Sequence, residues 1–138
     1  MKGNKIEFKK ISVPLPSGTK ALNTLYYVVD NGRSDVIENL DKLDKTALSI
    51  TKRLFAQMII NDECKSKKIQ YKLWHHPYGE IKPMPRRFFF FRKFGNHIIF
   101  FDYRKKKKDS LGEEVYTVIE DKMRKYEKAF ERYRKESK

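Results

Sequence analysis

Cysteine and long apolar runs are what this sequence most lacks. Cys64 is the only cysteine, which excludes an internal disulfide and fits a reducing cytosol; it reads as an incidental thiol near a helix end. No run approaches the ~20 apolar residues of a transmembrane helix. The first ten residues are charged, no apolar core of signal-peptide length follows, and Pro14 and Pro16 interrupt the next stretch. A cytoplasmic protein with no membrane attachment is expected. No Cys/His/carboxylate spacing suggests zinc, so neither metal nor cofactor is expected. Acidic residues are scarce in one region only. Residues 65–108 hold 14 Lys+Arg against 2 Asp+Glu, whereas residues 1–64 hold 10 against 8 and residues 109–138 hold 8 against 8. Nearly all of the formal net charge of +14 falls on that middle stretch. A concentrated positive field attracts polyanions, nucleic acid first and an anionic membrane surface second.

What is present is an alternation of short apolar segments and turn signals. Hydrophobic content of 39% over 138 residues is enough for one core, so a single domain over 1–138 is expected. Leu22 to Val29, "LNTLYYVV", reads as a strand ended by the turn "DNGRS". Ser34 can cap a helix in which Val36, Ile37, Leu40 and Leu43 share a face. A second helix follows, with Ala47, Leu48, Thr51, Leu54, Phe55, Met58 and Ile59 at helical spacing. "ECKSKK" reads as a polar loop and "IQYKLWHH", Ile69 to His76, as a strand with Lys72, Trp74 and His76 on its exposed face. "PYGEIKPMP", Pro77 to Pro85, reads as a connecting loop because three prolines remove donors.

The stretch "RRFFFFRKFGNHIIFFDYRKKKK" then reads as a β-hairpin. Gly95 and Asn96 can both take the positive φ of a tight turn. Pairing around that turn brings Arg86 and Arg87 beside Arg104 to Lys108, so one edge of the sheet is expected to be strongly positive. Ser110 to Glu113 has capping-box spacing, opening a helix whose stripe is Val115, Val118, Ile119, Met123, Tyr126, Phe130 and Tyr133. The fold class predicted is α+β: a small, antiparallel-rich twisted sheet of about four strands, with a helical hairpin and a C-terminal helix packed on one side.

The segments "NGRSDVIENLDKLDKTALSITKRLFAQM", "LWHH", "RRFFFF" and "IIFFDYRKKKKDSLGEEVYTVIEDKMRKY", in that order and spacing, resemble the RelE/ParE superfamily of toxins from toxin–antitoxin systems. The nearest branch is the HigB-like and phage-derived RelE-like proteins, and the likeness covers roughly Tyr26 to Tyr126. It implies a RelE-like core over 25–134, with residues 1–24 as an added strand or a flexible arm. It also implies a metal-independent endoribonuclease that cuts messenger RNA on the ribosome and is neutralised by a cognate antitoxin, one carrying a DNA-binding helix-turn-helix in the resembling branch.

Metal-free RNA cleavage needs a base for the 2′-hydroxyl, cations for the crowded phosphorane and an acid for the leaving 5′-oxygen. Arg87 matches the family's strand-opening arginine and is expected to clamp the scissile phosphate. Arg104, Lys105 and Lys106 match the basic end of the last strand; one lysine among them, depressed in pKa by its cationic neighbours, could transfer a proton. His76 suggests a general base, since histidine titrates near neutrality, and Tyr116 resembles a family tyrosine able to stack a base or relay a proton. Lys72, Arg86, Lys107 and Lys108, together with Lys65, Lys67 and Lys68, are expected to attract and hold RNA. His97, in the hairpin turn, reads as incidental. Two other readings stand beside the nuclease: a gyrase inhibitor of the ParE type, and a non-catalytic RNA-binding module.

Overall fold

The computed structural model describes residues 5–73, 75–83, 85–105 and 112–136. Along the chain these form β1 (Ile6–Lys10), β2 (Thr24–Asp30), α1 (Asp35–Leu40), α2 (Lys45–Ile60), β3 (Ile69–Gln70), β4 (Gly79–Ile81), β5 (Arg86–Lys93), β6 (His97–Lys105) and α3 (Glu113–Glu136). The strands make one six-stranded sheet in the order β1-β2-β6-β5-β4-β3. Only β2 and β6 run parallel; all other neighbours are antiparallel. The class is α+β, as expected, but with a six-stranded mixed sheet in place of about four strands. No helix among the described residues is long and apolar enough to cross a membrane.

Helices cover both faces, which corrects the expectation of one covered side. The continuous phenylalanines explain it, because a strand buried on both faces needs no polar alternation. Phe88 and Phe90 face α1 and α2 with Leu25, Ile98 and Phe100. Phe89 and Phe91 face α3 with Tyr26, Ile99 and Phe101. Side chains in either layer lose essentially all contact with water, which stabilises by about 1.5–3 kcal/mol for each large apolar residue. On α3 the layer takes Ile119, Met123, Tyr126 and Phe130, while Val118 is exposed. The expected caps form locally: Ser34 Oγ accepts from Ile37 N–H at 3.2 Å and Asp44 Oδ1 accepts from Ala47 N–H at 2.7 Å.

Three local expectations change. Residues 1–24 include an added strand, β1, which pairs with β2 from Ile6↔Asp30 to Lys10↔Tyr26. The strand expected over 69–76 is two residues long; Trp74 lies outside the described residues. The proline-flanked loop contains β4, which lies between β3 and β5 inside the sheet. Pro77, Pro83 and Pro85 stand outside it, so Gly79, Glu80 and Ile81 keep their N–H donors. Gly79 is required there, because a Cβ would press on the carbonyl oxygens of Gln70 and Tyr71, 2.6 Å from the latter. The β5–β6 turn forms as expected, but Phe94 and Gly95 take the positive φ in place of Asn96.

Candidate nucleic-acid cleft

The hairpin places Arg86 across from Lys105 and Arg87 across from Arg104. Because β5 and β6 are the two central strands, this basic cluster lies at one end of the sheet's middle and not along its edge. β-Pairing alternates side chains between faces, so Arg87 shares the α3 face with Phe89 and Phe91. The pairing skips from Phe89↔Asp102 to Phe90↔Phe100, leaving Phe101 as the extra residue of a bulge. A bulge turns consecutive side chains toward the same face. Asp102 therefore joins Phe101 on the α3 side, 2% exposed, where Lys122 Nζ reaches its Oδ1 at 2.9 Å and Arg104 Nε its Oδ2 at 3.4 Å. Arg87 is 4% exposed and its Nε stands 3.6 Å from Glu80 Oε1 on β4; Glu80 is 5% exposed.

His76 reaches the same place from the turn between β3 and β4, not from an exposed strand face as expected. Leu73 and Tyr78 close that turn through a 2.8 Å backbone hydrogen bond, and His75 takes φ +67° within it. His76 is 7% exposed. Its Nδ1 lies 2.9 Å from Glu120 Oε1 and its Nε2 lies 3.0 Å from Glu113 Oε1, both on α3. Ionised carboxylates accept and do not donate, so the two contacts together favour the imidazolium form of His76. Burial by itself lowers the pKa of His76, but hydrogen bonds and charge from Glu120 and Glu113 outweigh that and raise it above the ordinary histidine value. A histidine kept protonated suits a general acid better than the general base first expected. Tyr116 stacks on the His76 ring at 5.7 Å and 26°, and Tyr78 beneath donates its hydroxyl hydrogen to the Tyr116 carbonyl at 2.8 Å.

These groups line a cleft of about 350 Å³ bounded by Leu73, His76, Glu80, Lys82, Arg87, Glu113 and Tyr116. On the far side of His76 a shallower groove is bordered by Lys72, His75 and Arg124. Three residues singled out in the sequence, Arg87, His76 and Tyr116, thus meet in one cleft from three separate segments. Arg104 is half-buried across the strand pair from Arg87, and Lys105 is exposed at the end of β6. Lys65, Lys67 and Lys68 do not line the cleft. Their loop enters β3, however, and the register Ile69↔Ile81↔Phe88 sets it at the same end of the sheet as Arg86 and Lys105. Lys106, Lys107, Lys108 and the serine of the expected capping box lie outside the described residues.

Glu80, Glu113, Glu120 and Lys82 were not anticipated as part of the site. One signal was available: Glu80 and Asp102 are the two acidic residues of the basic stretch 65–108, and each is buried against a cation. Glu113 read as a cap and Glu120 as surface charge, because their partner is 37 and 44 residues away. No group of His, Cys, Asp and Glu among the described residues could hold a metal ion. Comparison with protein-family models, with curated proteins and with solved structures finds no match.

Proposed function

We propose that the chain is a metal-independent endoribonuclease of the RelE-like kind, cutting messenger RNA on the ribosome and so inhibiting translation. The observation that carries the reading is the meeting of Arg87, an imidazolium His76 and Tyr116 in one cleft with an accessible carboxylate. Glu113 is 69% exposed at its side chain and supplies that carboxylate. In this scheme Glu113 takes the 2′-hydroxyl proton and the 2′-oxygen attacks the adjacent phosphorus. Arg87 and Arg104 stabilise the charge that builds on the phosphorane, where fixed cations in a partly dry site act most strongly. Substrate entering the cleft displaces the exposed Glu113 carboxylate from His76 Nε2, and that N–H then gives its proton to the leaving 5′-oxygen. The products are a 2′,3′-cyclic phosphate and a 5′-hydroxyl, so atoms and charge balance without a metal. Tyr116 presents a ring against which a base can stack.

On this reading the working location is the cytoplasm and the partners are ribosome-bound mRNA and a separately encoded antitoxin with a helix-turn-helix. An antitoxin would cover the basic end with acidic or apolar segments. The deciding measurement is single-turnover cleavage of mRNA on programmed ribosomes at saturating protein. Arg87→Ala combined with Glu80→Gln, which leaves no uncompensated buried carboxylate, should lower the rate about 10²–10³-fold, or about 2–4 kcal/mol of transition-state stabilisation. Removing Lys65, Lys67 and Lys68 together should leave that rate unchanged. It should instead lower the salt slope of binding to single-stranded RNA by about 2. A cleavage rate indifferent to Arg87 would sink the nuclease reading and leave an RNA-binding module.

A further inference from the structure

A second cavity, of about 640 Å³, lies at the opposite end of the central hairpin and is lined by Phe94, Asn96, His97, Glu131, Arg134 and Lys135. Phe94 is its unusual member. It holds φ +55° and the residue is 56% exposed. Bulky residues seldom take that left-handed conformation, and Gly or Asn would make the same turn with less strain. Burial of the side chain would ordinarily offset such strain, yet Phe94 stays exposed. Backbone strain kept under an exposed aromatic points to a use for the ring.

The surroundings define which ligand would use it. Phe94 packs obliquely against Phe130, at 6.2 Å and 33°, and edge-on to His97, at 6.3 Å and 88°. Lys93 Nζ stands 5.6 Å from the ring centroid. That ammonium also holds Glu131 at 2.6 Å and Glu127 at 3.2 Å, so the carboxylate of the cavity is already neutralised. Arg134 and Lys135, in the last turn of α3, enter no ion pair among the described residues. Burial, then the charges of Arg134 and Lys10, lower the pKa of His97. The shift favours the neutral ring, whose Nδ1 lies 3.1 Å from the Tyr26 hydroxyl. An exposed aromatic face beside two uncommitted cations fits a flat, hydrogen-bonding ring attached to an anion.

We propose that this cavity is a nucleotide site in which Phe94 stacks a nucleobase and Arg134 and Lys135 hold its phosphate. Phe94 follows Arg87 by seven residue steps along and just past β5, roughly 23 Å at strand rise, so one nucleotide cannot occupy both sites. The assignment holds whether or not the cleft at Arg87 cleaves RNA. The same chemistry is carried by a free nucleotide and by a nucleotide within single-stranded RNA.

The test titrates the full chain with adenosine monophosphate and, separately, with a short oligoadenylate, following backbone amide shifts. Shifts centred on Phe94, Asn96, His97, Arg134 and Lys135 are expected. Response to the mononucleotide identifies a free-nucleotide site, and response to the oligomer alone identifies a strand contact. Phe94→Asn, which keeps the left-handed turn and removes the ring, should weaken binding about tenfold, the size of one base–aromatic stack. Arg134→Ala should do the same, whereas Phe94→Tyr, which keeps the ring, should bind like the parent. The proposal is overturned if neither ligand moves these resonances, if the shifts scatter over the basic surface, or if Phe94→Asn and Arg134→Ala bind normally.

Discussion

On each flank of α3 a cation is held between two carboxylates, yet the two clusters differ in what they tie down and when they can let go. On one flank His76, from the turn between β3 and β4, sits between Glu113 and Glu120 of the helix. On the other, Lys122 of the helix reaches Asp35 at the start of α1, at 2.8 Å, and Asp102 of β6, at 2.9 Å. Lys125 and the Tyr126 hydroxyl extend that second cluster to Asp30, at 3.0 and 2.9 Å. Burial lowers the pKa of Lys122, but Asp102 and Asp35 more than offset it and the net shift is upward. Lysine thus stays charged throughout the physiological range, whereas a histidine titrates close to it. One flank is a permanent fastening and the other is conditional, and the conditional one lies in the cleft.

Lys122→Ala should have the largest effect. It leaves Asp102 buried with its main cation gone, and removing one partner of a buried pair is costly. A loss of about 3 kcal/mol in urea unfolding is expected, nearly constant between about pH 6 and pH 9, since the raised pKa of Lys122 keeps it charged there. A loss below about 1 kcal/mol would show that the Lys122 flank does not fasten the helix.

His76→Gln should be smaller and should depend on pH. The folded-state pKa of His76 is raised, so its contribution is complete below the unfolded value of about 6.5 and is lost as pH rises through the higher folded value. The variant should be about 1–2 kcal/mol less stable than the parent near pH 6, with the gap narrowing by about pH 9. A gap that widens with pH would mean that His76 is neutral in the fold. The smallest effect sharpens the contrast. Arg124 pairs with Glu120 and Glu127 at 3.5 Å on the exposed side of the same helix. Arg124→Ala should cost only about 0.3 kcal/mol and vanish in high salt, as exposed helical pairs do.

Much of the fold was legible because it rests on neighbours in the chain. Ser34 capping α1, the apolar face of α2 and the turn after Lys93 follow from spacings of three, four or two residues. Arg87 opposite Arg104 was legible too, since a tight turn sets the register of both strands. The covered second face was harder to see, although four consecutive phenylalanines were themselves a sign that both sides are buried. β4 was hidden by its flanking prolines, and β3 was read too long because "YKLWHH" alternates like a strand while His75 turns back at positive φ. In the candidate site Arg87, His76 and Tyr116 were named, but the protonation of His76 was not, because Glu113 and Glu120 reach it only when α3 packs over the sheet.

Local sequence sets the helices, the β5–β6 hairpin, the concentration of charge at residues 65–108 and the basic cluster at the hairpin's ends. Local conformational preference and period-two or helical burial act over a few residues, and no distant contact is needed to express them. The tertiary structure alone decided that the hairpin is central, that the bulge turns Asp102 toward Lys122, and that Glu80 meets Arg87 across β4. It also decided that His76 sits between Glu113 and Glu120 and that Phe94 stands exposed in the cavity it shares with Arg134. Each of these joins segments whose pairing depends on loop closure and shared burial, and such terms cannot be read from either segment alone.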